Sequence, residues 1–111
     1  MNDYLLENLK SWVFVEWSAS SNEEFLKCIS IATNMLYKGA LDSASNLFND
    51  RKLKEKSDLI KKNINNLAFN GKYYFDNARR INNKIVHPHG LISETCQYYA
   101  YFFKINENQN F

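Results

Sequence analysis

The chain reads as mostly helical, an all-α polypeptide with one small β-hairpin, and three observations point that way. Apolar residues recur at helical spacing through two long stretches, one beginning near residue 24 and one after residue 50. Strong turn signals fall between such stretches, at Asn49-Asp50 and at Asn70-Gly71. Proline occurs once and glycine three times in 111 residues, so little interrupts regular helix.

Residues 3–10 can form a short helix with Leu5, Leu6 and Leu9 on one side. Residues 12–17 are bulky, β-branched and aromatic, with Glu16 in their middle, and read as an extended loop or short strand. Ser21 and Glu24 make a capping-box pair. From there a long amphipathic helix is expected, carrying Phe25, Cys28, Ile29, Ala32, Leu36, Ala40, Ala44, Leu47 and Phe48 inward. Gly39 is where it would break in two.

Asn49-Asp50 marks a turn, with Asp50 as the cap of a helix reaching about Leu67. That helix buries Leu53, Ile60, Ile64 and Leu67. Its lysine-rich face is solvated, because Glu55 and Asp58 interrupt the basic run and argue against a nucleic-acid footprint. After the Asn70-Gly71 turn, residues 72–76 have β character. Residues 79–87 are read as the return strand of a hairpin with Asn82-Asn83 near its tip, in preference to a short helix stopped by Pro88. Pro88-His89-Gly90 is a loop into a last helix from Ser93 to Lys104, and the polar tail 106–111 is expected to fray.

Composition narrows the function classes. One domain at most fits the length, with a modest core, and a content of 45% hydrophobic and 15% aromatic residues excludes disorder. A net charge of +2 is too small to indicate nucleic-acid or membrane partners. No apolar run approaches the roughly 20 residues of a membrane span. Residues 1–10 lack a basic-then-apolar secretory pattern, so a cytoplasmic location is expected if the chain is complete as given. Cys28 and Cys96 form neither a disulfide framework nor a metal cluster and are expected as buried thiols.

Residues 92–103, Ile-Ser-Glu-Thr-Cys-Gln-Tyr-Tyr-Ala-Tyr-Phe-Phe, carry the most chemistry. Ser93 is a natural N-cap, and Glu94 in the first turn feels the positive end of the helix dipole, which favours its ionised form. Tyr98 and Tyr101 fall on the same face as Glu94. A carboxylate beside phenol rings suits a sugar, which offers hydroxyls and an apolar ring face. Cys96, Tyr99, Ala100 and Phe103 fall on another stripe and read as core. Helix stability and packing account for the same pattern without any chemistry.

Four blocks in one order shift that balance: Phe14-Val-Glu-Trp-Ser18, Thr33-Asn-Met-Leu-Tyr37 with Ala40-Leu41, Phe69-Asn-Gly71 with Tyr74-Phe-Asp-Asn77, and residues 92–103. Together, over about residues 12–103, they resemble the C-terminal part of the catalytic domain of bacterial six-hairpin glycosidases of the α-L-rhamnosidase type. The resemblance implies an α/α toroid, a ring of helical hairpins with the sugar in a funnel at one end. Such a ring needs well over about 200 residues, so this chain is expected to be a partial domain.

What the resemblance implies for chemistry is equally partial. The family's rhamnosidases invert, using a general acid and a carboxylate that activates water. Glu94 matches the position of the general base, and Glu16 with Trp17 matches a pocket loop that contributes to sugar binding. Tyr98 is a candidate substrate contact, and no cofactor is called for. The family's general acid and acidic sugar-binding motif belong to an earlier part of the domain and have no counterpart here. His87 and His89 depart from the family pattern. The expected partner is a rhamnose-containing glycan, with little or no turnover by the chain alone, and with self-association or a complementary chain covering the open faces.

Two other patterns compete. Arg80 and His87, with Asn82 soon after the arginine, resemble the short motif of HEPN-type helical ribonucleases, which would use the arginine on an RNA phosphate and the histidine in proton transfer. Pro88 and the expected hairpin oppose the continuous helix that motif needs. His87 and His89 could share a metal, but no Cys, Asp or Glu lies near enough in sequence to complete four ligands. Two solvated loop histidines are the expectation.

Overall fold

The computed structural model of the chain describes residues 28–106. In chain order these form strand β1 (Ile29–Ser30), helix α1 (Ile31–Phe48), helix α2 (Arg51–Ala68), strands β2 (Asn77–Ile81) and β3 (Lys84–Val86), a 3₁₀ turn (Pro88–Gly90) and helix α3 (Glu94–Phe102). The mostly helical class stands, and so does a small hairpin with Asn82-Asn83 at its tip, but its strands are 77–81 and 84–86. Residues 79–87 hold parts of both strands and are not a return strand alone. Residues 72–76 form no strand, Tyr74 making only an isolated bridge with Phe69. The expectations for residues 3–10, for 12–17 with Glu16 and Trp17, for the Ser21 and Glu24 capping box, for Phe25 and for the tail from 107 lie outside the described residues.

Helix α1 begins later than the apolar periodicity predicts. Ile29 and Ser30 are extended and pair antiparallel with Ala78 and Asn77. Ser30 then caps the helix, its side chain accepting from the Thr33 N–H, an arrangement worth about 1 kcal/mol. The late start also moves the buried face by about one residue. Ile31, Met35, Lys38 and Ser45 point inward, whereas Leu36, Leu47 and Phe48 are exposed, the last two by 77% and 71%. Ala40 is exposed, and Ala32 and Ala44 are half-buried.

Gly39 does not break the helix. A Cβ there would sit 2.2 Å from the Phe103 ring, so the glycine lets the end of the last helical segment lie against α1. Packing, not backbone freedom, is its role.

Asn49 closes α1 in the left-handed region (φ 50°), and Asp50 caps α2 by accepting from the Lys52 N–H. The two long helices therefore make a tight helical hairpin, as the turn signal predicts. Ser57, Ile60, Ile64 and Ala68 form the buried stripe of α2 at helical spacing, with Leu53 and Leu67 half-buried beside it.

Asn82 and Asn83 turn the β2–β3 hairpin with φ of 50° and 66°, the positive-φ pair that a two-residue hairpin loop demands. The three strands form one antiparallel sheet in the order β1-β2-β3. A core of Ile29, Ile31, Met35, Ile60, Ile64, Ala68, Tyr74, Ala78, Cys96, Ala100 and Ile105 joins sheet and helices. Cys28 and Cys96 are buried thiols, as expected.

Candidate functional site

Helix α3 starts where the sequence places it. Ser93 is its N-cap, its hydroxyl accepting from the Cys96 N–H at 3.2 Å, and Glu94 is the first helical residue. Glu94 is exposed, as are Tyr98 and Tyr101 one and two turns on. These three share one solvent face, while Cys96 and Ala100 are fully buried on the other. Tyr99 and Phe103 pack against the core, with their rings edge-to-face at 5.4 Å.

What fixes the start of α3 is a buried aspartate. Oδ1 of Asp76 accepts from both the backbone N–H and the hydroxyl of Ser93, at 2.9 and 2.8 Å. The Asp76 N–H donates to the Leu91 carbonyl at 2.8 Å, and its own carbonyl accepts from the Ile31 N–H at 2.9 Å. One residue thus ties the first turn of α1 to the first turn of α3. Gln97 adds a second clasp: its Oε1 accepts from the Tyr74 N–H, and its Nε2 donates to the Tyr74 carbonyl, both at 2.8 Å.

The sequence pattern alone does not single out Asp76 or Gln97. Asp76 lies in a stretch of β character, where aspartate is depleted. A carboxylate in such a stretch, one position before a strand, is the signal that points to a hydrogen-bonding duty.

A second polar constellation sits at the other end of the helices. The Lys38 ammonium is buried, 2.6 Å from Asp42 Oδ2 and 2.8 Å from the Phe103 carbonyl that it donates to. The Ser57 hydroxyl donates to Asp42 Oδ1, and Lys54 approaches the same oxygen at 3.4 Å. Burial works to raise the Asp42 carboxyl, but the hydrogen bonds from Lys38 and Ser57 and the nearby positive charges outweigh it and hold the group below its ordinary value. The groove beside it is lined by Asn46, Lys54, Asp58, Lys61 and Lys104 along with Lys38 and Asp42, and Glu94 and Tyr98 are not among its lining residues. This cluster ties helices together.

The histidines do not match the solvated pair expected. His87 is half-buried, stacks on Phe75 at a centroid distance of 4.0 Å, and its Nε2 lies 2.6 Å from the Leu67 carbonyl. Because a carbonyl only accepts, that nitrogen carries the hydrogen. The ring clasps the base of the hairpin to the end of α2. His89 is exposed, with φ of 59°. Arg80 lies on β2 opposite Ile85, so Arg80 and His87 stand on a hairpin and not on one helix. Among the described residues, no group of three or more His, Cys, Asp or Glu is arranged to hold a metal, and no helix is long and apolar enough to cross a membrane.

Of the site residues the sequence proposes, the structure brings Glu94 and Tyr98 onto one face, and Glu16 and Trp17 lie outside the described residues. Comparisons with protein-family models, with curated proteins and with solved structures return no match for this chain.

Proposed function

We propose that this chain is the base-bearing part of a glycoside hydrolase of the α-L-rhamnosidase type, a segment of an α/α toroid in which Glu94 activates water for inverting hydrolysis of terminal α-L-rhamnosides. The observation that carries the reading is the placement of Glu94. It stands exposed on the first residue of a capped helix, beside two exposed tyrosines on the same face. A general base must stay ionised and open to water until it takes a proton, and phenol rings give the apolar face of a sugar something to lie on.

A second support is how the sequence blocks meet. Residues of the Phe69 to Asn77 block hydrogen-bond both to the first residue of α1, which carries the Thr33 to Tyr37 block, and to the start of α3. Two of the blocks, residues 69–77 and 92–103, thus meet at the turn that presents Glu94.

In this reading Glu94 is the water-activating carboxylate, Tyr98 a sugar contact, and Glu16 with Trp17 a further binding loop. The general acid belongs to helices outside this sequence, so the chain alone turns over little or no substrate. Titrating the isotopically labelled chain with L-rhamnose tests the reading. Chemical-shift changes should centre on Glu94, Tyr98 and Tyr101 and be lost in Tyr98→Ala. Shifts elsewhere, or none, contradict it, as does ordinary turnover of an aryl α-L-rhamnoside by the pure chain.

A further inference from the structure

We propose that Asp76 is a positioning residue for Glu94, acting through Ser93; the inference rests on the reading of Glu94 as a base. Asp76 is 3% exposed and touches no part of the open face. Its carboxylate serves the two groups of Ser93 that decide where α3 begins, the N–H and the hydroxyl, through one oxygen. The Ser93 hydroxyl has two duties: it donates to Asp76 and accepts from the Cys96 N–H. A hydroxyl can do both at once, and doing so fixes its rotamer.

The backbone of Asp76 is equally committed. Its N–H reaches Leu91, two residues before the cap, and its carbonyl takes the N–H of Ile31 at the head of α1. Side chain and backbone therefore hold residues 91–93 from one side, and Gln97 holds the next turn of the helix to Tyr74. The residue between these clasps is Glu94. A side chain on an isolated helix end would sweep with the fraying of the first turn. Here the Cα–Cβ direction of Glu94 is set by a buried carboxylate on another element. Such a support shell is what keeps a reacting group within the narrow tolerance that its geometry requires.

Helix capping alone would be satisfied by Ser93. The arrangement goes further because the cap itself is held, and held by the residue that also anchors α1. Asp76 thus carries the geometry of Glu94 without contacting anything bound there.

The test uses the labelled full chain and two readouts, the Glu94 resonances without sugar and L-rhamnose binding. Ser93→Ala and Asp76→Ala should move the Glu94 backbone and side-chain carboxyl resonances and weaken L-rhamnose binding about tenfold. Ser93→Thr should restore both. Asp76→Asn, which keeps an accepting oxygen, should remain within about twofold of the parent. Asp42→Asn serves as a control, since it loosens the helices at the far, C-terminal end of α3 and has no part in the Ser93 cap, and it should leave the Glu94 resonances in place.

Glu94 resonances unmoved in a folded Asp76→Ala chain would overturn the proposal, whether or not sugar binds. So would movement of equal size in the Asp42→Asn control. Failure of the parent chain to bind L-rhamnose, with Glu94 still moved by Asp76→Ala and left in place by Asp76→Asn, sinks the glycosidase reading and supports the positioning.

Discussion

The buried ammonium of Lys38 lies 2.6 Å from Asp42, one helical turn further along α1, and spends a second hydrogen bond on the carbonyl of Phe103. With the Ser57 hydroxyl on the same carboxylate, the pair joins α1, α2 and the end of α3. A buried charge left without its partner is costly, whereas the intact pair contributes little beyond the desolvation it offsets.

Asp42→Asn should therefore lower stability by about 1–3 kcal/mol near neutral pH, read as a shift in the urea midpoint at unchanged slope. The pH dependence has a definite sign. The carboxyl is held below its unfolded value of 3.8, so its contribution is present above that value and lost as pH falls through the lower native one. The gap between parent and variant should accordingly close in acid. A gap that stays constant down to about pH 2 contradicts the assignment.

Gly39→Ala sets helix propensity against packing. Propensity alone would favour alanine by about 1 kcal/mol, but the new methyl would meet the Phe103 ring at 2.2 Å. That ring is held edge-on by both Tyr99 and Phe102, so it cannot simply swing away. A net loss of about 1–2 kcal/mol is expected. Adding Phe103→Leu should recover part of it, and additive losses in the double variant would show that the two residues do not meet.

Tyr74 makes an alkaline prediction. Its ring is fully buried and its hydroxyl donates to Asn65 Oδ1. Burial pushes the phenol up to about 12, with a hydrogen bond involving Asn106 working the other way. The neutral form is favoured in the native state, so the stabilisation is present below the unfolded value of 10.0 and lost as pH rises through about 12. Tyr74→Phe should delete the tyrosinate absorbance step nearest pH 12. An unchanged titration curve would remove Tyr74 from that role.

The hairpin tip gives a prediction with the opposite sign. Asn83 sits at φ 66°, where glycine has no steric penalty. Asn83→Gly should be neutral or stabilise by up to about 0.5–1 kcal/mol, and Asn83→Val should cost about 1–2 kcal/mol. Thermal midpoints of the two variants check this, and equal midpoints would argue against the positive-φ turn.

Elements whose signals are local were legible from the sequence. The Asn49-Asp50 break, the Asp50 and Ser93 caps and the Asn82-Asn83 tip depend on residues within one turn of each other, and each stands where the pattern puts it. The start and inward face of α1 were not legible, because both are set from a distance. Ile29 and Ser30 are extended owing to partners at Asn77 and Ala78, and the inward seam holds a lysine whose counter-charges come from Asp42 and a carbonyl in the last segment. Periodicity sends leucines inward and lysines outward. It has no term for a buried lysine that is paired.

The candidate site divides the same way. Glu94 and Tyr98 were readable because cap and helix spacing are local. Asp76 was not, since its partners are residues 31, 91 and 93, and the pairing exists only once the chain has closed on itself. His87 was misread for a related reason: a histidine beside a proline and a glycine signals loop, and the Leu67 carbonyl and Phe75 ring that hold it are brought there by the fold.

Helix α3 is nine residues long, too short to persist alone in water. Its order is lent to it by Asp76, Gln97 and the core beneath Cys96 and Ala100. A synthetic peptide of residues 92–104 would carry Glu94, Tyr98 and Tyr101 in an ensemble with no common face, and transplanting the surface onto another scaffold would fail unless the strip from Tyr74 to Asp76 travelled with it. The candidate site is therefore not a motif in the linear sense. It is a junction, assembled from segments that meet only after the two long helices have brought them together.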